Sequence, residues 1–128
     1  MPVPNATDSE IADAQGGFST SVDMGTLRVK AWGFWSKDIG LRFGSAVYHV
    51  CHMTPGIRKL EFDMAELKPM RDEGQESFGR VMRALGALPI LEVIVSTSSH
   101  LTKLQLLRIA REEAPEGIVR FVNASEYS

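Results

Sequence analysis

Four short groupings hold the side chains that could do chemistry. They are Arg71-Asp72-Glu73-Gly74, His49 and His52 around Cys51, Ser98-Ser99-His100, and the aromatic run Trp32-Gly33-Phe34-Trp35. Two carboxylates in the first turn of a helix answer the free backbone N–H groups there, each worth up to about 1 kcal/mol, and also present negative charge outward. Histidines three apart share a helix face and could fill two corners of a metal site, but such a site needs a third and usually a fourth ligand. No Cys or His stands at partner spacing nearby and Cys51 faces another direction, so the expectation is two histidines on a helix flank and no metal. Ser98 or Ser99 with His100 suggests a nucleophile and base. Adjacent residues at a helix start rarely point at each other, and no orienting acid is evident; helix capping is the commoner role for such serines.

The aromatic run bears on binding rather than catalysis. Three large rings at a strand end are hard to bury together in so small a core. An exposed member, with Trp35 the candidate, favours a protein contact, and core filling is the alternative. No nucleophile elbow, phosphate-gripping glycine loop or dinucleotide fingerprint is present, so neither an enzyme nor a cofactor is expected.

The 128 residues fit one domain. Apolar residues at 44% and charged residues at 23% suit a globular chain with a buried core. A formal charge of −2, with Lys and Arg scattered, argues against nucleic acid as a partner. A single cysteine excludes an internal disulfide and fits a reducing compartment. No apolar run approaches the roughly 20 residues needed to cross a bilayer, and Met1 is followed by no basic and apolar leader. The expectation is a cytoplasmic protein without membrane insertion.

Residues 1–16 are polar, with Val3 and Ile11 their only sizeable apolar side chains, and read as a disordered tail before a domain at 17–128. From Gly17 the pattern turns regular. Phe18 to Val22 and the alternating Leu27, Val29 and Ala31 flank the turn Asp23-Met24-Gly25, a hairpin signature. Ser36 or Asp38 can cap a helix striped by Ile39, Phe43, Ala46, Val50 and Met53. Leu60, Phe62 and Met64 alternate as a third strand, and a loop with Pro69 leads to Asp72 and Glu73. Phe78, Val81, Met82 and Leu85 stripe a second helix. Ile90, Leu91, Val93, Ile94 and Val95, the most apolar stretch, mark the expected central strand. A third helix turns Leu101, Leu104 and Leu107 inward, and Ile118, Val119, Phe121 and Val122 make a last strand. The reading is an α/β fold with a mixed sheet in the order β-β-α-β-α-β-α-β, its active loops at the carboxyl ends of the parallel strands, near 34–38, 65–73 and 96–100.

This order, and the run Leu60-Glu61-Phe62-Asp63-Met64 entering the loop 65–70, resemble the STAS domain of bacterial anti-sigma factor antagonists and sulphate-transporter tails. The resemblance spans about residues 18–121. In that family the loop ends Asp-Ser-Ser-Gly or Asp-Ser-Thr-Gly at a helix start. The second hydroxyl is phosphorylated by a kinase that is also the anti-sigma factor. Here Arg71 stands at the aspartate, Asp72 at the first hydroxyl, Glu73 at the phosphorylated position and Gly74 at the glycine. A carboxylate supplies about −1 charge against −1.5 to −2 for phosphoserine, a partial imitation.

The resemblance implies a non-catalytic regulatory module that binds a kinase-like anti-sigma factor or another signalling protein. The implied partner-binding residues are Arg71, Asp72, Glu73, Gly74, Ser77, Trp35 and Ser98. The alternative is the related SpoIIAA-like family, akin to Sec14 domains, which has this order without the serine. It would imply a small apolar ligand or lipid bound between sheet and helices.

Overall fold

The computed structural model describes residues 9–125. Strands β1 (Ser9–Ala12), β2 (Gly16–Asp23) and β3 (Thr26–Gly33) lead into helix α1 (Lys37–Met53). Then follow β4 (Lys59–Leu67), α2 (Asp72–Ala84) with a 3-10 turn at Leu85–Ala87, β5 (Glu92–Thr97), α3 (His100–Glu113) and β6 (Val119–Asn123). The α/β class and mixed sheet read from the sequence are what the chain adopts. The six strands lie side by side in chain order, β1 to β6. β1–β2 and β2–β3 are antiparallel, and every later pair is parallel.

That unbroken order decides where the helices go. Each of the three crossovers steps one strand in the same direction, and right-handed connections then place α1, α2 and α3 on one face. The period-2 alternation follows suit. Phe18, Leu27, Val29, Leu60, Phe62, Val93 and Val95 are buried toward the helices. The opposite face carries cross-strand ion pairs, among them Arg28–Glu61 at 3.1 Å and Lys30–Glu66 at 3.7 Å. Ile94 is buried outside the main core, in register between Glu61 and Arg120. The strand it sits on is interior but not central, because β3 and β4 occupy the middle of the six.

The core converges on Phe43 of α1. Its ring lies 5.0 Å from Trp35, 5.6 Å from Phe18, 5.8 Å from Phe62 and 6.4 Å from Phe78. Offset and edge-on rings at such separations contribute beyond their burial alone. Next to this cluster α1 and α2 come close enough that a Cβ on Gly40 would stand 2.9 Å from the Gly74 nitrogen. Only glycine permits that approach.

Several expectations change. Ser9–Ala12, read as part of a disordered tail, is an edge strand on β2, and Ile11 packs against the core. Asp13 closes the following turn by accepting from the Gln15 and Gly16 N–H groups, which hold its carboxyl below the usual range. Opposite it, Gly33 has φ +70, and the Gln15 carbonyl fills the space a side chain would need. The tail reading failed because the stretch is ordered by backbone pairing to β2, for which composition gives no sign. The remainder of that tail, residues 1–8, lies outside the described residues.

The third helix is rotated from its expected setting. Thr102, Leu106, Ile109 and Ala110 are buried, while Leu101 and Leu104 are 65% and 48% exposed. On α1, Val47 replaces Ala46 on the buried stripe, and Met53 is exposed. The α2 stripe of Phe78, Val81, Met82 and Leu85 is buried as read.

Phe43→Ala removes the ring that four others touch, and should cost about 3–5 kcal/mol of unfolding free energy in urea titration. Leu104→Ala, on the exposed side of α3, should change stability by less than about 0.5 kcal/mol in the same measurement.

Candidate functional site

The loops that carry the candidate residues collect at one end of the sheet. β3, β4 and β5 are parallel, so the connections at 34–36, 68–71 and 98–99 all emerge at their carboxyl ends. The β1–β2 turn reaches the same end because β2 runs antiparallel to β3. Backbone bonds tie these pieces together: Lys68 N–H donates to the Gly33 carbonyl at 3.1 Å, and Phe34 N–H to the Gln15 carbonyl at 3.1 Å. Sheets whose strand order reverses open a crevice at the reversal. This order never reverses, so the loops form a rim.

The loop before α2 is held by α3. Gln105 Oε1 accepts from the Met70 N–H at 2.8 Å, and Gln105 Nε2 donates to the Met70 carbonyl at 3.0 Å. The side-chain amide thus pairs with the loop's backbone as a neighbouring strand would. Gln75 Nε2 donates to the same carbonyl at 3.0 Å, and Arg108 in turn donates to Gln75 Oε1 at 2.8 Å. Thr102 Oγ1 donates to the Leu67 carbonyl at 2.9 Å. Sequence reasoning missed Gln75, Thr102 and Gln105. The signal lies in Thr102 and Gln105, polar residues three apart on α3, but the spacing of Leu101, Leu104 and Leu107 points to a different side of that helix as the buried one.

The predicted site residues divide. Arg71 is the N-cap of α2 and makes no side-chain cap bond, which leaves its guanidinium exposed. Asp72 is exposed and Glu73 half-buried, both in the first turn, where the backbone N–H groups favour negative charge. Ser98 is exposed, and its neighbour Ser99 is the cap of α3, accepting from the Thr102 N–H at 3.3 Å. These four stand on the rim.

Three others do not. Trp35 is 4% exposed, and its Nε1 donates to the Gly17 carbonyl at 2.9 Å inside the aromatic cluster. Gly74 is buried against Met70 and Gly40. Ser77 is buried between α1 and α2, its Oγ accepting from the Gly44 N–H at 2.7 Å. These residues pack the structure and offer no docking surface. The exposed aromatic of the run is Phe34, at 58%, with Trp32 half-buried.

Ser99 spends its oxygen on the helix cap, and among the described residues no hydrogen bond joins Ser98 or Ser99 to His100. His49 and His52 are exposed on α1, where His52 stacks on Tyr48 at 6.0 Å. Among the described residues no three His, Cys, Asp or Glu side chains come together as a metal site would require. Burial pushes the Cys51 thiol up from 9.0 to about 11.

Two outcomes follow from this geometry. Gln105→Leu keeps the side chain's bulk but strands the Met70 N–H and carbonyl, which should cost about 1–3 kcal/mol and speed hydrogen exchange at the Met70 amide. Cys51 should react with a thiol reagent at pH 8 about a hundredfold more slowly than an ordinary cysteine, since only the thiolate attacks. The folded state keeps that proton to higher pH than the unfolded chain does. The thiol's contribution to stability is therefore complete below pH 9.0 and is lost as pH rises toward about 11.

No protein-family model matches the chain, and no curated protein matches it in sequence.

Proposed function

We propose that the protein is a non-catalytic regulatory interaction module of the STAS kind, docking through the loop rim. Its contact residues are Phe34, Arg71, Asp72, Glu73 and Ser98. The observation that carries this reading is the clamp on Met70. Glu73 lies in the first turn of a helix whose preceding loop is held by Gln105 and Gln75, so the backbone that carries its charge is set in one place. A partner meeting such a surface gives up little loop entropy on binding. Phe34 adds an exposed aromatic ring at the same end of the sheet, a side-chain type enriched at protein interfaces.

With a carboxylate where relatives of the resembled family carry a phosphorylated hydroxyl, the module has a permanent negative charge. Its binding is set by concentration rather than by a kinase acting at that position. The partner is a kinase-like anti-sigma factor or another signalling protein with a basic site for this helix start. The chain shows no helix long and apolar enough to cross a membrane among the described residues, in keeping with a partner met outside the bilayer.

The test is capture of partners from lysate of the protein's own cells, followed by affinity measurement with the purified partner. Glu73→Lys and Glu73→Ser should each weaken binding by about 1–3 kcal/mol, the reach of one charge-assisted contact, with the circular dichroism spectrum unchanged. Phe34→Ser should weaken it by more than 1 kcal/mol, in the manner of an interface anchor. Full affinity in all three folded variants would rule the rim out as the docking surface.

A further inference from the structure

Beyond their glycine contact α1 and α2 part, leaving a cleft of about 220 Å³. Leu41, Val47, Val81, Ala84 and Leu88 form its walls, and Leu60, near the start of β4, lies at its base. That position is toward the end of the sheet opposite the loop rim. The polar groups of the lining sit on neighbouring turns, Ser77 and Arg80 on α2, Ser45 and Tyr48 on α1.

We propose that this cleft binds a small monocarboxylic acid whose apolar body is about the size of one aromatic ring. The inference stands apart from the docking function of the rim. Size gives the first constraint. A dry apolar cavity of about 150 Å³ accepts benzene, and drug-sized ligands need roughly 300 Å³ or more, so about 220 Å³ suits a single ring with a short polar tail.

Ser77 gives the second. It is only 5% exposed, and its hydroxyl accepts from the Gly44 N–H at 2.7 Å. The hydroxyl keeps one proton to donate, and among the described residues it makes no hydrogen bond besides that one. Buried donors nearly always have an acceptor in folded proteins, and an oxygen of a ligand in the cleft supplies one.

Arg80 gives the sign of the charge. It stands one turn beyond Ser77 and, among the described residues, pairs with Glu76 alone, at 2.7 Å, both side chains being 64% exposed. A pair so exposed is weak, and the guanidinium is free to turn to a carboxylate, which its planar fork matches with two parallel bonds. A neutral hydrocarbon would leave the Ser77 proton unmatched. A phosphate would bring two charges to one guanidinium against apolar walls.

The full chain, labelled with nitrogen-15, is titrated with phenylacetate and separately with its uncharged counterpart 2-phenylethanol, and amide shifts are followed. Saturable shifts are expected at Gly44, Ser77 and Val81, with phenylacetate the tighter ligand by about tenfold, equivalent to 1.4 kcal/mol. Arg80→Gln, a change at an exposed position, should erase that preference while 2-phenylethanol still binds. Ala84→Phe, which fills the cleft, should abolish the response to both. The proposal is overturned by the absence of saturable shifts at those amides, by equal affinity for acid and alcohol in the unaltered chain, or by binding that survives in folded Ala84→Phe.

Discussion

The packing of Phe43 against four other rings is the contact on which the remaining architecture depends. Those rings come from β2, the β3–α1 connection, β4 and α2, so one side chain joins the antiparallel half of the sheet, the parallel half and two of the three helices. Its place is set by α1, whose N-terminus Ser36 caps by accepting from the Ile39 N–H at 3.2 Å. The register of α1 then fixes which residues face α2. With Phe43 inward, Gly40 and Gly44 meet Gly74 and Ser77, and the two helices approach closely enough for the Gly44 N–H to reach the Ser77 hydroxyl. A glycine within a helix is unfavourable by roughly 0.5–1 kcal/mol relative to alanine. Here the close helix contact offsets it.

From α2 the constraint passes to α3 and to the rim. Arg83 of α2 pairs with Glu113 of α3 at 2.8 Å, an interaction that raises the arginine's affinity for its proton and lowers that of the carboxyl. Leu106, Ile109 and Ala110 seat α3 in the core, and from there Thr102 and Gln105 reach the end of β4 and the loop after it and satisfy their backbone. A loop left to water would move. This one is fixed by two helices, and so is the backbone from which Asp72 and Glu73 extend. The straight strand order supplies the complement: helices cover one face only, and the other is kept polar by ion pairs between neighbouring strands. Exposed charge on that face disfavours stacking of a second sheet on it.

Sequence patterning determined the elements and most of the sheet's inner face. The alternation through Leu27, Val29 and Ala31, and through Leu60, Phe62 and Met64, has only one way to bury its apolar half. The α2 stripe from Phe78 to Leu85 likewise repeats at a spacing no strand could use. The acidic start of α2 was legible for the same local reason, because Asp72 and Glu73 lie within the first turn of the helix whose dipole they answer. What tertiary structure alone decided were the choices between faces of comparable apolar character. Helix α3 carries leucines on two sides, and the side that went in is the one whose Thr102 and Gln105 could bond backbone groups of β4 and its loop. The same holds for Phe34 and Trp35, chemically alike and adjacent. Trp35 is inside because its Nε1–H finds the Gly17 carbonyl there, and Phe34 is outside because successive residues leaving a strand cannot both turn toward the same core. β1 joined the sheet through backbone pairing, which no side-chain pattern announces. Local spacing fixes which surfaces a chain can bury; the hydrogen-bond partners available across the fold decide which it does.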